Sequence, residues 1–231
     1  MNAIACSRTR MHLLLFSLLW ACLSAGPVKA ESAGTEAWFE QDEPDVSGVN
    51  EGELELFTSP PPGGPFHHHQ NQLTITGDSL RSGWVELTQC HEHLDPVPLA
   101  EIAFRQGHVR NLALTRATGI GKAKVTEHSV QLEDISAQAQ LCLSAELKLV
   151  TRLDNGRYLL RSGPYMRRFL DGFYPMRVSL RILRNGYNGT VELIHPRPSQ
   201  GLVLAREDDQ LHIDALFAGR LLLEFELADH P

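Results

Sequence analysis

Four cysteines are few for a chain of 231 residues, which is long enough to bury a hydrophobic core without disulfides standing in for one. The apolar run 13–23 stops short of the roughly 20 residues that a membrane-spanning helix needs. A formal charge of -7 withholds the cationic surface of a general nucleic-acid binder, and a hydrophobic content of 42% excludes a wholly disordered chain. No GxSxG elbow, HExxH zinc helix, P-loop or Gly-rich dinucleotide turn occurs, and no internal repeat of fixed period. Composition therefore names no reaction.

What is present begins with an export signal over 1–30. Arg8 and Arg10 form its positive end, the run 13–23 its apolar centre, and Gly26-Pro27 a helix break. Val28-Lys29-Ala30 supplies a cleavage site, leaving Glu31 first in an exported, periplasmic or extracellular chain. Leu19-Trp20-Ala21-Cys22 gives the alternative, a lipoprotein box with Trp20 where a small residue belongs. Membrane attachment follows only if Cys22 is lipidated. After simple cleavage Cys90 and Cys142 are the remaining thiols, and in an oxidising compartment they are expected to pair, bridging two sheets.

Residues 31–55 hold nine acids and no Lys or Arg, which predicts a solvated arm. Trp38-Phe39, Leu54, Leu56 and Phe57 are its apolar anchors. A Pro/Gly joint over 60–65 closes the arm, so the chain divides into signal 1–30, arm and linker 31–65, and a single domain over 66–231. The net charge divides likewise: the signal carries +3, the arm -9 and the remainder only -1.

Beyond the joint the apolar pattern has period two, at 72–76, 84–88, 109–114 and 144–150. Asp154-Asn155-Gly156 marks a hairpin, and Asn185-Gly186 with Asn188-Gly189 predicts another between 178–183 and 191–194. Further strands are expected at 202–205, 211–215 and 221–227. Pro164 as a first helical residue and Gly172 as a stop predict one short helix between them. The expected fold is all-β, an antiparallel β-sandwich or partly closed barrel with one short helix.

Two groupings carry candidate chemistry. His67-His68-His69 follows the joint and His91 and His93 follow Cys90. Residues two apart on a strand share a side, so His67, His69, His91 and His93 form a candidate copper or zinc site. Without a metal no cofactor is implied. Between 151 and 190 stand eight arginines against two aspartates. Arg157, Arg161, Arg167, Arg168, Arg177 and Arg181 are the candidate anion- or partner-binding face, since guanidinium groups hold carboxylates and phosphates in a bidentate manner. The acidic arm is a candidate for covering that face. Asn188-Gly189-Thr190 is a glycosylation sequon, relevant only in a host with an endoplasmic reticulum.

The functional expectation is an exported binding protein, metal-binding through histidine or docking a protein partner or small anionic ligand in the periplasm through arginine. A metal-dependent hydrolase, with a histidine-bound water as nucleophile, is the remaining alternative.

Overall fold

The structure, a computed structural model, describes residues 50–228. The segment 1–30 expected to be an export signal, Cys22 and the expected arm up to residue 49 lie outside the described residues.

The described chain runs β1 (Glu55–Leu56), β2 (His68–Thr76), α1 (Ser79–Ser82), β3 (Trp84–Glu92), β4 (Leu99–Ala103), β5 (Val109–Val125), β6 (Ser129–Lys148) and β7 (Val150–Arg152). It continues through β8 (Tyr158–Tyr165), β9 (Arg167–Phe169), β10 (Gly172–Tyr174), β11 (Met176–Asn185), β12 (Thr190–His195), β13 (Leu202–Arg206), β14 (Gln210–Ala218) and β15 (Leu221–Ala228). A nine-stranded sheet has the order β1-β14-β11-β2-β3-β6-β4, with β13 also on β14 and β5 also on β6. A four-stranded sheet has the order β12-β15-β8-β7, and β9 and β10 form a separate hairpin. The all-β class is therefore as expected. The pairing is antiparallel except between β11 and β2, which run parallel.

Alternation builds the core. On β11 the residues Val178, Leu180 and Ile182 are buried, and on β14 Leu211, Ile213, Ala215 and Phe217. From the smaller sheet Leu221, Leu223, Phe225 and Leu227 of β15 join Leu160 of β8 in the same apolar cluster. Most of the intervening residues are polar, so one-sided burial of each sheet follows from the period-two pattern.

Four expectations are corrected. The residues 164–172 form no helix: they end β8 and build the β9–β10 hairpin, with Phe169 opposite Gly172 and Arg167 opposite Tyr174. Two isolated helical turns have too few hydrogen bonds to offset nucleation, whereas here Arg167 lies against both Phe169 and Tyr174. The one short helix is instead α1, a single turn closed by Gly83 at φ 82°. The turn over 185–189 joins no hairpin either, because β11 stays in the large sheet while β12 pairs with β15 in the small one. The chain changes sheets there, held by Tyr187, whose hydroxyl donates to the carbonyls of Thr190 and Ala228.

The disulfide Cys90–Cys142 is present, but within one sheet rather than between two. The two cysteines are directly opposite on the neighbouring strands β3 and β6, with Cα atoms 4.1 Å apart. Lastly, the domain begins before residue 66. Glu55–Leu56 pairs with β14, Leu54 and Leu56 pack against the core, and Phe57 N–H bonds the Leu216 carbonyl at 2.9 Å. The end of the arm is thus part of the sheet. Gly219, at φ 84°, makes room for it: a Cβ at that position would collide with the Glu53 carbonyl.

Candidate functional site

The inner face of the large sheet changes character along β2 and β3. Leu73 and Ile75, with Val85 and Leu87, are apolar, but their continuations on the same face are Asn71 and His69 on β2 and Gln89 and His91 on β3. His69 lies opposite His91 and Asn71 opposite Gln89. Period two thus carries a polar strip into the interior, where every group needs a partner.

Most have one. His67 Nε2 lies 2.9 Å from His91 Nδ1, and the Gln89 side-chain amide bonds His69 Nε2. Tyr165 of β8 meets the strip from the other sheet: Asn71 Nδ2 donates to its hydroxyl at 3.2 Å, and Ser162 Oγ is 2.6 Å from it. The Tyr165 ring stands edge-on to His69, centroids 5.1 Å apart. Burial raises the Tyr165 phenol to about 12. Burial likewise lowers His67 to about 4 and His69 to about 3, and holds His91 well below the usual range, with the neighbouring imidazoles acting in the same direction. All three rings are neutral at pH 7. Two buried atoms of the strip lack partners, Gln89 Oε1 and His91 Nε2.

The four histidines of the candidate metal site are not brought together. His67, His69 and His91 stack, with His69 and His91 centroids 4.3 Å apart and inclined by 25°. His93 leaves them. β3 ends at Glu92, and His93 takes φ 54°, so the two-residue rule no longer holds; it lines an outer groove with His68, Arg177 and Asp214. The stacked rings also suit a metal poorly. Imidazole lone pairs lie in the ring plane, and the rings of His69 and His91, stacked 4.3 Å apart, hold theirs in nearly parallel planes. One of the nitrogens, His67 Nε2, is already engaged with His91. Among the described residues no group of three or more His, Cys, Asp or Glu is arranged to hold a metal ion.

The six candidate arginines form no single anion-binding face. Arg161 lies on β8 in the small sheet and Arg157 just before it, Arg177 and Arg181 on β11 in the large one, and Arg167 and Arg168 in the hairpin. Four have carboxylate partners. Arg157 pairs with Glu226, Arg161 with Glu224 at 2.7 Å, Arg167 with Asp95 through two bonds of 3.0 and 2.5 Å, and Arg177 with Asp214 at 3.0 Å. Arg168 sits over the Phe173 ring, and Arg181 is exposed. Half of the eight arginines in the run 151–190 are paired with acids from β14, β15 and the 93–98 loop, which sequence distance conceals.

A second constellation was not legible beforehand. On the outer face of the large sheet His68 Nε2 lies 2.8 Å from Ser179 Oγ, which donates to Asp214 Oδ2 at 2.6 Å. Serine, histidine and aspartate on adjoining strands resemble a nucleophilic triad, but the protons run the other way. Gln70 Nε2 donates to His68 Nδ1 at 3.2 Å, leaving the ring proton on Nε2 and directed at the serine. An imidazole that gives a proton to the hydroxyl cannot at the same time accept one from it.

Beside the polar strip lies a cavity of about 450 Å³. Both sheets line it: His69, Asn71 and Gln89 from the large one, Ser162 and Tyr165 from the small one. It lies where β7 stops pairing with β8: after Leu160, and the Arg161 N–H bond to the Leu149 carbonyl, the part of β8 from Ser162 to Tyr165 has no strand on that side. Sequence reasoning missed it, since a strand's uncovered length is set by its neighbour.

No protein-family model and no curated protein matches the chain. Among solved structures, an M1 zinc metallopeptidase mutant from Deinococcus radiodurans bound to a Tyr-Ser-Ala substrate is similar with a TM-score of 0.37 at 12% identity. That match covers 76% of this chain and 42% of the other. A two-domain M1 zinc metallopeptidase mutant bound to L-tryptophan gives a TM-score of 0.37 at 11% identity, over 78% of this chain and 44% of the other. The chain thus spans less than half of either enzyme, and likeness at this level carries no argument about activity.

Proposed function

We propose that this chain is an exported β-sandwich binding protein whose site is the cavity between the two sheets, and that its role is to hold a small organic molecule. The observation that carries this reading is the lining itself. Buried polar side chains (Asn71, Gln89, Ser162) stand at one part of the wall and leucines at another, in a space of about 450 Å³. A cavity with an apolar wall and a few fixed polar groups is the usual form of a small-molecule site, and this volume falls within the common range. The competing readings have less support: the stacked imidazoles do not converge on an ion, and most of the candidate arginines already have carboxylates.

The test is backbone-amide NMR of the mature protein against a library of small organic molecules. Saturable shifts should cluster at Phe104, Leu147 to Thr151 and Ser162 to Tyr165. Zinc or copper titration is the second arm. Shifts centred on His67 and His91 with a dissociation constant below about 10 µM, and none at the cavity, would overturn the proposal in favour of a metal carrier.

A further inference from the structure

The cavity is asymmetric in charge as well as in polarity. Its lining includes Arg105, His108, Lys148 and Arg161, and no aspartate or glutamate. Arg161 is paired with Glu224. Arg105 and Lys148 have no ion pair among the described residues, and both are exposed, as is Ala103 next to them in the lining. Thr151, Arg161, Gly163 and Pro164 of the lining are exposed as well. Leu147, Leu149, Leu87 and Leu73 share the wall with Asn71, Gln89 and Tyr165, and the Leu73–Leu87 pair lies next to the Asn71–Gln89 pair along β2 and β3. The cavity therefore combines free cations, an apolar stretch and uncharged hydrogen-bonding groups. Gln89, only 4% exposed, keeps an unpartnered Oε1.

We infer that the ligand is an amphipathic organic anion: an acidic head held at Arg105 and Lys148, an apolar body against the leucines, and room for an uncharged polar group beside Asn71 and Gln89. This deepens the reading of the cavity as a small-molecule site and rests on it. Free cations beside an apolar channel select a monoanion over its neutral and cationic analogues, because a carboxylate or phosphate leaving water recovers charge-assisted hydrogen bonds there. A cation would meet only like charge. Asn71, Gln89 and Tyr165 are neutral, so a second charge beside them would be left unpaired.

The probes are decanoate, 1-decanol and decylamine, titrated calorimetrically below micelle formation, with decyl phosphate to separate the two kinds of acidic head. Decanoate or decyl phosphate should bind at least tenfold tighter than decanol, and decylamine weakest. Shortening the acid should weaken binding by about fourfold per methylene, as expected for burial of the chain. Arg105→Glu with Lys148→Glu should weaken the anions by more than tenfold and leave decanol within about threefold. Both side chains are exposed, and circular dichroism is the check that the variant folds. Ala103→Trp, also at an exposed position, should obstruct all the probes alike.

Two failures are distinguishable. If decanol binds as tightly as decanoate, or the charge reversal leaves the anions unaffected, while Ala103→Trp still obstructs binding, the anion assignment is wrong and the cavity remains a site for neutral ligands. If Ala103→Trp changes nothing, or no probe binds, the inference and the cavity reading fall together.

Discussion

Acidification tests the buried imidazoles most directly. His67 and His69 are held at about 4 and about 3 against an ordinary 6.5, above all because burial strips water from the protonated ring. The unfolded chain, whose histidines titrate near the ordinary value, takes up protons that the folded chain refuses. The stabilisation is therefore complete above pH 6.5 and is lost as the pH falls from there toward the folded values. At pH 5 the linkage relation gives a loss of about 2 kcal/mol for each of the two, since the unfolded form is almost wholly protonated and the folded form almost wholly neutral. His91 is displaced in the same direction by burial, then by His69 and His67, and adds with the same sign. Against a total stability of about 5–15 kcal/mol, a combined loss of about 4 kcal/mol or more is large. Carboxylates do not confuse this window. Asp78 and Glu146, lowered by bonds from Arg81 and Arg110, lose their stabilisation only as the pH falls below their ordinary values of 3.8 and 4.5. Urea unfolding at about pH 7.5, 6 and 5 measures the fall, and His69→Leu should remove about half of the share ascribed to the pair. A fall smaller than about 1 kcal/mol, or an equally steep fall in His69→Leu, would show that the rings are solvated or charged in the folded protein.

Other perturbations follow from the same contacts. Replacing both Cys90 and Cys142 with serine opens a loop of 52 residues and should cost up to about 4 kcal/mol in the chain-entropy estimate, read as a lower urea midpoint. Truncating Phe225, 0% exposed on β15, to alanine should cost about 3–5 kcal/mol, and a loss below about 1 would place that ring outside the core. Gly219→Ala should release residues 52–56 from β14, seen as faster amide exchange at Phe57, because the Cβ displaces the Glu53 carbonyl. Arg157→Ala, by contrast, should change stability by less than about 1 kcal/mol, since its pair with Glu226 is exposed.

How much was legible can be seen at single residues. The alternation of Val178, Leu180 and Ile182 named a strand and its buried face, because a one-sided sheet requires it. The same rule misled at His93, one residue past the end of β3, where the backbone turns left-handed and the side chain leaves its expected face. It served at His67, His69 and His91, which do gather, but it could not say that their rings would stack. Asn155-Gly156 named a true hairpin because the strands on either side pair with each other. Asn185-Gly186 did not, because turn chemistry reports the bend and not the partner.

The sequence by itself determined the period-two burial of most strands, the all-β class and the pairing of Cys90 with Cys142. Those follow from local alternation and from the small number of thiols. Tertiary structure alone decided which carboxylates neutralise the arginines, which strand β12 joins, and where β7 stops short along β8. Each of these depends on which distant strand lies alongside, and strand order is set by how the two sheets bury their apolar faces together, not by residues near in sequence. The cavity is the clearest case. Its polar strip is written in the alternation of β2 and β3, but the space beside it lies where β7 leaves part of the β8 edge uncovered.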